Sequence, residues 1–436
     1  MKKSTKDIII IGFALFAMFF GAGNLIFPPY LGNIFGTSYV FSAIGFILTG
    51  VGLPLLGIIA CTKVNGDFEN IGLPVGPIFT KIFSISLFLT IGPLLAIPRT
   101  AATTYELAIS PVFPGVPALA FVIFYFVLNL VFVLNPSQIM DLIGKYLTPI
   151  LLITLSILIV KGILFPTSPI INTGKTLPIA SGLKEGYQTM DALAALVFSS
   201  IVFKSILAKG YCEDKVMGMT LKSGAIAIIG LAVVYSGLMH LGAQTSSVFD
   251  SDVSKTFLLL EISQRNLGSI GSILIGITIG VACFTTSVGL ISSGSSFFEG
   301  LTNGRLSYKF NAIFMSIIGV VIGSSGVEQI VKFAGPILNI LYPIAITLIL
   351  LTLIKDTIKN NNVFKITVYT SLLFSILSTL SNVKYINTYN IKTINLLTKL
   401  PLYDSGFVWV VPTIVMFITS FILLNNKTSK STIFAD

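Results

Sequence analysis

Charge is scarce in this chain. Only 10% of its 436 residues are Asp, Glu, Lys or Arg, against about 25% in a soluble domain, so it has too little to cover a surface facing water. Histidine occurs once, at His240, and the three cysteines, Cys61, Cys212 and Cys283, lie far apart without metal-ligand spacing. These shortages leave almost nothing from which to build a metal cluster or a nucleophile–base pair, which disfavours an integral membrane enzyme. The cysteines read as packing residues. The formal charge is +10, yet no basic cluster stands out, which argues against nucleic acid and for lysines at loop edges facing anionic headgroups. Alternating ten-residue apolar segments are absent, and with them the signature of a membrane β-barrel. No small-residue cleavage pattern follows Lys2, Lys3 and Lys6, so the apolar stretch behind them reads as a retained first span.

What the chain has in quantity is apolar sequence. Hydrophobic residues make up 54% of it and its mean hydropathy is +0.94. A hydrocarbon core of about 30 Å takes roughly 20 apolar residues per helix. Spans of that kind are expected near 8–30, 39–62, 79–98, 118–135, 146–165, 187–203, 219–242, 268–297, 310–326, 333–354, 363–380 and 406–424. Between them lie turn residues and charges, such as Asn65-Gly66-Asp67 and the polar run from Lys355 to Asn362. Twelve spans put both termini on one side, and Lys and Arg are in excess on that side, which makes it the cytoplasmic one. The fold class is therefore all-α and polytopic. The 38 glycines and 19 prolines serve either close helix packing or deliberate helix breaks around a site.

The first span is built to break. Phe19-Phe20-Gly21-Ala22-Gly23-Asn24-Leu25-Ile26-Phe27-Pro28-Pro29 combines two glycines, an Asn and a proline pair, each unfavourable to continuous helix. Irregular backbone at bilayer depth is tolerated only inside protein or beside a cavity. From Ile8 to Ala17 is about nine residues, roughly 14 Å at the helical rise, or half the core. A break there frees carbonyls for a cation and opens a half-helix N-terminus whose N–H groups suit a carboxylate. In the eighth span, Ala282-Cys283-Phe284-Thr285-Thr286-Ser287 places three adjacent hydroxyls mid-membrane. Such neutral oxygens ligate Na⁺, although Ser and Thr also bridge ordinary helices.

The polar residues inside spans carry open alternatives. Asp191 is a functional candidate by its location, meeting a substrate ammonium or relaying a proton, or else it caps a helix. Arg99 and Glu106, seven residues apart and on nearly one helix face, read as an ion pair, as headgroup contacts or as an outer gate. His240 reads as a packing or interface residue rather than a proton carrier, Glu299 with Arg305 and Lys309 as a charged helix end, and Trp409 as an interfacial anchor.

The first-span string resembles the signature of the BrnQ-type branched-chain amino-acid:cation symporters. So do Gly92-Pro93-Leu94-Leu95-Ala96-Ile97-Pro98-Arg99-Thr100, Thr189-Met190-Asp191-Ala192-Leu193-Ala194 and Thr285-Thr286-Ser287-Val288-Gly289. The likeness runs over nearly the whole chain. It implies a transporter domain over 1–430 with the leucine-transporter fold: inverted repeats over 8–165 and 180–355, helices one and six broken at midplane, and two peripheral helices over 363–424. It also implies Na⁺-coupled import of leucine, isoleucine and valine across the bacterial cytoplasmic membrane. Residue by residue, the carry-over places the carbonyls of Ala17, Phe20 and Ala282 and the hydroxyls of Thr285 and Thr286 around one Na⁺. It places the N–H groups of Ala22 and Gly23 on the substrate carboxylate. Gly21 and Asn24 complete the Gly-x-Gly-Asn of the first helix, and Thr189, Met190, Asp191 and Ala192 form the opposite wall. The sequence departs from the wider sodium-coupled group at Thr286, where Ser is frequent.

Rival readings are an H⁺-coupled carrier of small neutral amino acids, a membrane enzyme and a channel. The Thr285–Thr286 pair favours Na⁺ over H⁺, because a hydroxyl ligates a metal ion without carrying a titrating proton. A pore would want rings of carbonyls or charge. Spans eleven and twelve offer an oligomer surface, but nothing in them requires one.

Overall fold

Backbone in a bilayer has to bond to itself, and here it does so as helix after helix. A computed structural model of the chain describes residues 3–134, 148–381 and 397–425, and among the described residues there is no strand. In chain order the helices are α1 (Lys3–Phe19), α2 (Ala22–Phe35), α3 (Tyr39–Ile47), α4 (Leu53–Thr62), α5 (Glu69–Gly72), α6 (Pro77–Leu89), α7 (Ala96–Thr104), α8 (Ala118–Val133) and α9 (Thr148–Leu164). They continue as α10 (Pro178–Gln188), α11 (Asp191–Ala208), α12 (Glu213–Ala243), α13 (Lys255–Leu301), α14 (Tyr308–Gly323), α15 (Val327–Leu353), α16 (Asn361–Ser381) and α17 (Val410–Leu424). Each of the twelve spans expected from the sequence coincides with one or two of these. The stretch 135–147, which holds the end of the fourth span and the start of the fifth, lies outside the described residues, as do 382–396 and 426–436.

Seven of the described helical runs are long and apolar enough to cross a membrane, and four shorter apolar helices accompany them. The run Ala22–Thr62 has 41 residues, twice the ~20 of one crossing. It turns at Gly36, whose φ of +46° suits glycine, so it holds the second half of span one and all of span two. Large apolar side chains such as Ile78 (75% exposed) and Val321 (68%) point outward, as a lipid-facing surface requires.

Four spans are interrupted. In the first, Phe20 and Gly21 separate α1 from α2. Gly23, Asn24, Pro28 and Pro29, expected to disrupt the helix, instead lie inside α2. Tight burial holds them there: a Cβ on Gly32 would stand 2.0 Å from the Met239 carbonyl, and one on Gly242 1.9 Å from that of Pro29. The third span kinks at non-helical Gly92, beside Pro93, and ends in a wide turn over Tyr105–Ile109. The sixth is split between α10 and α11, and α13 kinks at Gly268, φ +67°. The sixth span expected from residue 187 leaves out α10. Its mixed composition, with Ser181, Lys184, Glu185 and Gln188 among glycines, hides it. The glycines explain the helix: Cβ atoms on Gly182 and Gly186 would stand 2.1 Å from the Ser42 carbonyl and 2.0 Å from Thr49 Oγ1, so α10 lies backbone-close on α3.

The chain forms two compact units. The first comprises Met1–Leu55, Leu87–Ala194 and Leu221–Ala334, and the second Leu56–Ser86, Ala195–Thr220 and Gly335–Asp436. Within the second, Lys63 pairs with Asp356 at 2.7 Å and donates to the Leu353 carbonyl at 2.8 Å. Asn425, just past α17, binds the backbone of Lys359 and Thr357, tying α17 to the residues ahead of α16. Every residue of the expected site lies in the first unit.

Candidate functional site

The first break has a local cause. The Phe20 N–H still reaches the Phe16 carbonyl at 2.9 Å, but the Gly21 N–H donates to Asn24 Oδ1 at 3.1 Å rather than back to Ala17. A side chain from the next turn thus takes over a helix bond. The carbonyls at the end of α1, Ala17 among them, and the N–H groups of Ala22 and Gly23 at the start of α2 are left without helical partners. A Cβ on Gly21 would have Asn24 Oδ1 and Thr286 Oγ1 nearest it, each at 3.7 Å, with Thr286 Cγ2 at 3.8 Å.

Thr286 brings the eighth span to this break. The hydroxyls of Thr285 and Thr286 both donate to the Ala282 carbonyl, at 2.9 and 3.0 Å, so two hydroxyl oxygens and one carbonyl oxygen form a tight cluster. Both threonines are half-buried, whereas Ser287, the third hydroxyl of the run, is buried. No group of three or more His, Cys, Asp or Glu side chains gathers among the described residues. The donor set is oxygen-only and uncharged, which suits a weakly bound monovalent cation.

The sixth-span break faces Asn24 from another side. Asn24 Nδ2 donates to Asp191 Oδ2 at 2.5 Å and also to the Tyr235 hydroxyl of α12. The Asp191 N–H is met by Thr189 Oγ1 at 3.4 Å. The capping alternative for Asp191 therefore falls: Thr189 serves the start of α11, and the Asp191 carboxylate reaches across to α2. Between the two halves, Met190 has φ +67°, a left-handed conformation that costs a non-glycine residue about 1–2 kcal/mol and that its burial holds in place. Ala192 and Leu193 are fully buried in the first turn of α11, and both are apolar.

Arg99, expected at the outer end of the third span, reaches this break instead. It is 4% exposed, so the headgroup reading fails. Its Nη2 donates to the Thr189 carbonyl at 3.0 Å and its Nη1 to that of Gln188. It also lies over the Phe27 ring, 5.7 Å from the centroid. Glu106 turns elsewhere, accepting from Thr256 Oγ1 at 2.7 Å and from the Val327 N–H at 2.8 Å. Two other readings resolve simply. His240 packs between Tyr39 and Gln244, and Trp409 is buried at the N-terminal end of α17.

Gly21, Asn24, Thr286 and Asp191 are thus brought together directly, with Thr189 and Gly23 joined to them through Arg99. Ala192 lies in the adjoining turn, without a polar contact to the rest.

The family model for branched-chain amino acid transport proteins matches residues 4–427. The branched-chain amino acid permease BraB of Bacillus subtilis is 39% identical over 97% of each chain, and the branched-chain amino acid permease BrnQ of the same organism is 38% identical over 99% of each. Among solved structures, the nucleobase-cation-symport-1 transporter Mhp1, closed with bromovinylhydantoin bound, superposes with a TM-score of 0.61 at 9% identity, covering 94% of this chain and 90% of its own. That likeness is one of fold, the leucine-transporter-like arrangement.

Proposed function

Since this chain belongs to the branched-chain amino acid transport protein family, we propose that it imports leucine, isoleucine and valine by Na⁺ symport. Membership also makes it a polytopic membrane transporter and not an enzyme. The cell's cytoplasmic membrane is its location in this reading, with both termini on the cytoplasmic side.

The observation that carries the coupling ion is the meeting of two spans. The first-span break leaves the Ala17 carbonyl without its helical donor, and Thr286 Oγ1 stands beside Gly21 with Thr285 and the Ala282 carbonyl behind it. Ala17, Phe20, Ala282, Thr285 and Thr286 ligate the travelling Na⁺ through oxygen alone. The substrate lies across the same break, on the N–H groups of Ala22 and Gly23, with Gly21 and Asn24 beside it. Thr189, Met190, Asp191 and Ala192 supply the facing wall. Repeats over 8–165 and 180–355 rock around that fixed site in alternating access, with 363–424 peripheral.

One observation favours a second reading. Asp191 is a buried carboxylate in a span, hydrogen-bonded to Asn24, and such a group is able to carry a proton. Leucine uptake into proteoliposomes under an imposed Na⁺ gradient, at two pH values, separates the two. Na⁺-dependent accumulation insensitive to pH supports the symport described, and pH-driven accumulation indifferent to Na⁺ replaces it with H⁺ coupling.

A further inference from the structure

A buried guanidinium demands an answer from its surroundings. Arg99 draws part of that answer from the Gln188 and Thr189 carbonyls, where the sixth span breaks. The same guanidinium stands against the first break: a Cβ on Gly23 would lie 2.9 Å from Nη2 and 3.2 Å from Cζ. The next residue, Asn24, holds the Asp191 carboxylate at 2.5 Å. Adjacent residues of α2, their Cα atoms about 3.8 Å apart, therefore front a fixed cation and a fixed anion.

An α-amino acid carries its own carboxylate and ammonium on a single carbon, so it presents the pair of charges complementary to these two. We propose that Arg99 reads the carboxylate of the transported amino acid, with Asp191 opposite it taking the ammonium. This rests on the amino-acid transport reading above and adds to the backbone N–H groups a side chain that selects for charge. A guanidinium matches a carboxylate with a planar fork, which lysine does not reproduce. The other cation nearby, Lys255, is committed elsewhere, 3.6 Å from Glu185 and 4.0 Å from the Tyr30 ring centroid. Gly23 gains a specific reason as well, since any side chain there pushes the guanidinium away from the break.

Ligand-induced thermal stabilisation of the purified protein tests this directly, with leucine and leucinol as probes. Leucinol keeps the side chain and the ammonium and replaces the carboxylate with a neutral CH₂OH. In R99Q the leucine affinity falls about 10- to 100-fold, as for loss of a charged hydrogen bond, while the leucinol affinity changes less than about threefold. R99K keeps part of the preference for leucine. G23A, whose methyl would stand 2.9 Å from Nη2 and press on it, lowers it in the same direction as R99Q. A parallel fall for both ligands would make Arg99 a structural clamp, and an unchanged ratio in R99Q and G23A would remove it from recognition. If R99Q does not fold, R99K and G23A decide by the same ratio. A wild-type protein that neither binds nor transports leucine refutes the transport reading itself, whereas leucine transport with an unchanged ratio refutes only the Arg99 assignment.

Discussion

Thr286→Val takes away one oxygen and almost nothing else. Valine keeps the branched shape, and the Ala282 carbonyl retains the Thr285 hydroxyl at 2.9 Å, so the fold loses less than about 1 kcal/mol. The ion loses more. Thr286 Oγ1 is the eighth-span hydroxyl that faces Gly21, and an oxygen contact to a charge is worth about 1.5–3 kcal/mol, or roughly 10- to 100-fold in affinity. Half-saturating Na⁺ for leucine uptake therefore rises by that factor. Coupling between two ligands is reciprocal, so at fixed, subsaturating Na⁺ the apparent leucine affinity falls too, and saturating Na⁺ recovers it. The assay is leucine uptake into proteoliposomes against Na⁺ at constant ionic strength. An unchanged Na⁺ midpoint in a folded variant would take Thr286 out of the ion site and undo the reasoning that placed it there.

Three further outcomes follow from the same geometry. Asn24→Leu leaves the buried Asp191 carboxylate and the Tyr235 hydroxyl without their shared donor; it lowers stability by about 1.5–3 kcal/mol, read by thermal unfolding in detergent, and abolishes uptake. Gly186→Leu drives a side chain into Thr49 Oγ1, 2.0 Å from the Cβ position, costing about 1–3 kcal/mol or more through overpacking; an unchanged melting temperature would contradict the close packing of α10 on α3. Isoleucine and valine compete with labelled leucine for one site, whereas lysine and glutamate do not, because their charged side chains would be desolvated against Ala192 and Leu193 without partners; equal competition by either would refute an apolar side-chain pocket.

Much of this was legible in the sequence, for identifiable reasons. Long apolar runs are a strong signal, and all twelve spans have helices. The first break was legible from Gly21, Gly23 and Asn24, but not its cause, because a side chain replacing a backbone acceptor leaves no trace in composition. The proline pair pointed the wrong way: local propensity disfavours helix at Pro28 and Pro29, and packing against Met239 and Gly242 overrides it. Helix α10 was hidden because its glycines, which allow it to touch α3, look like helix breakers when read alone. Arg99 was read from its sequence neighbour Glu106, seven residues on. Glu106 instead bonds to Thr256 and Val327, 150 and 221 residues away, and the partners Arg99 reaches in the sixth span, Gln188 and Thr189, are 89 and 90 residues away. Spacing along one helix carries no signal for such contacts. The Thr285–Thr286 pair was legible as chemistry, and its position beside Gly21 only as geometry.

The central claim is that Na⁺ and the amino acid cross together through one site at the two helix breaks. Radiosodium uptake into proteoliposomes, started by adding leucine outside with Na⁺ equal on both sides and the membrane potential clamped, tests it most directly. The account predicts net Na⁺ entry that requires leucine and is lost in Thr286→Val at the same Na⁺ concentration. Leucine accumulation accompanied by internal acidification, with no movement of Na⁺, would contradict it.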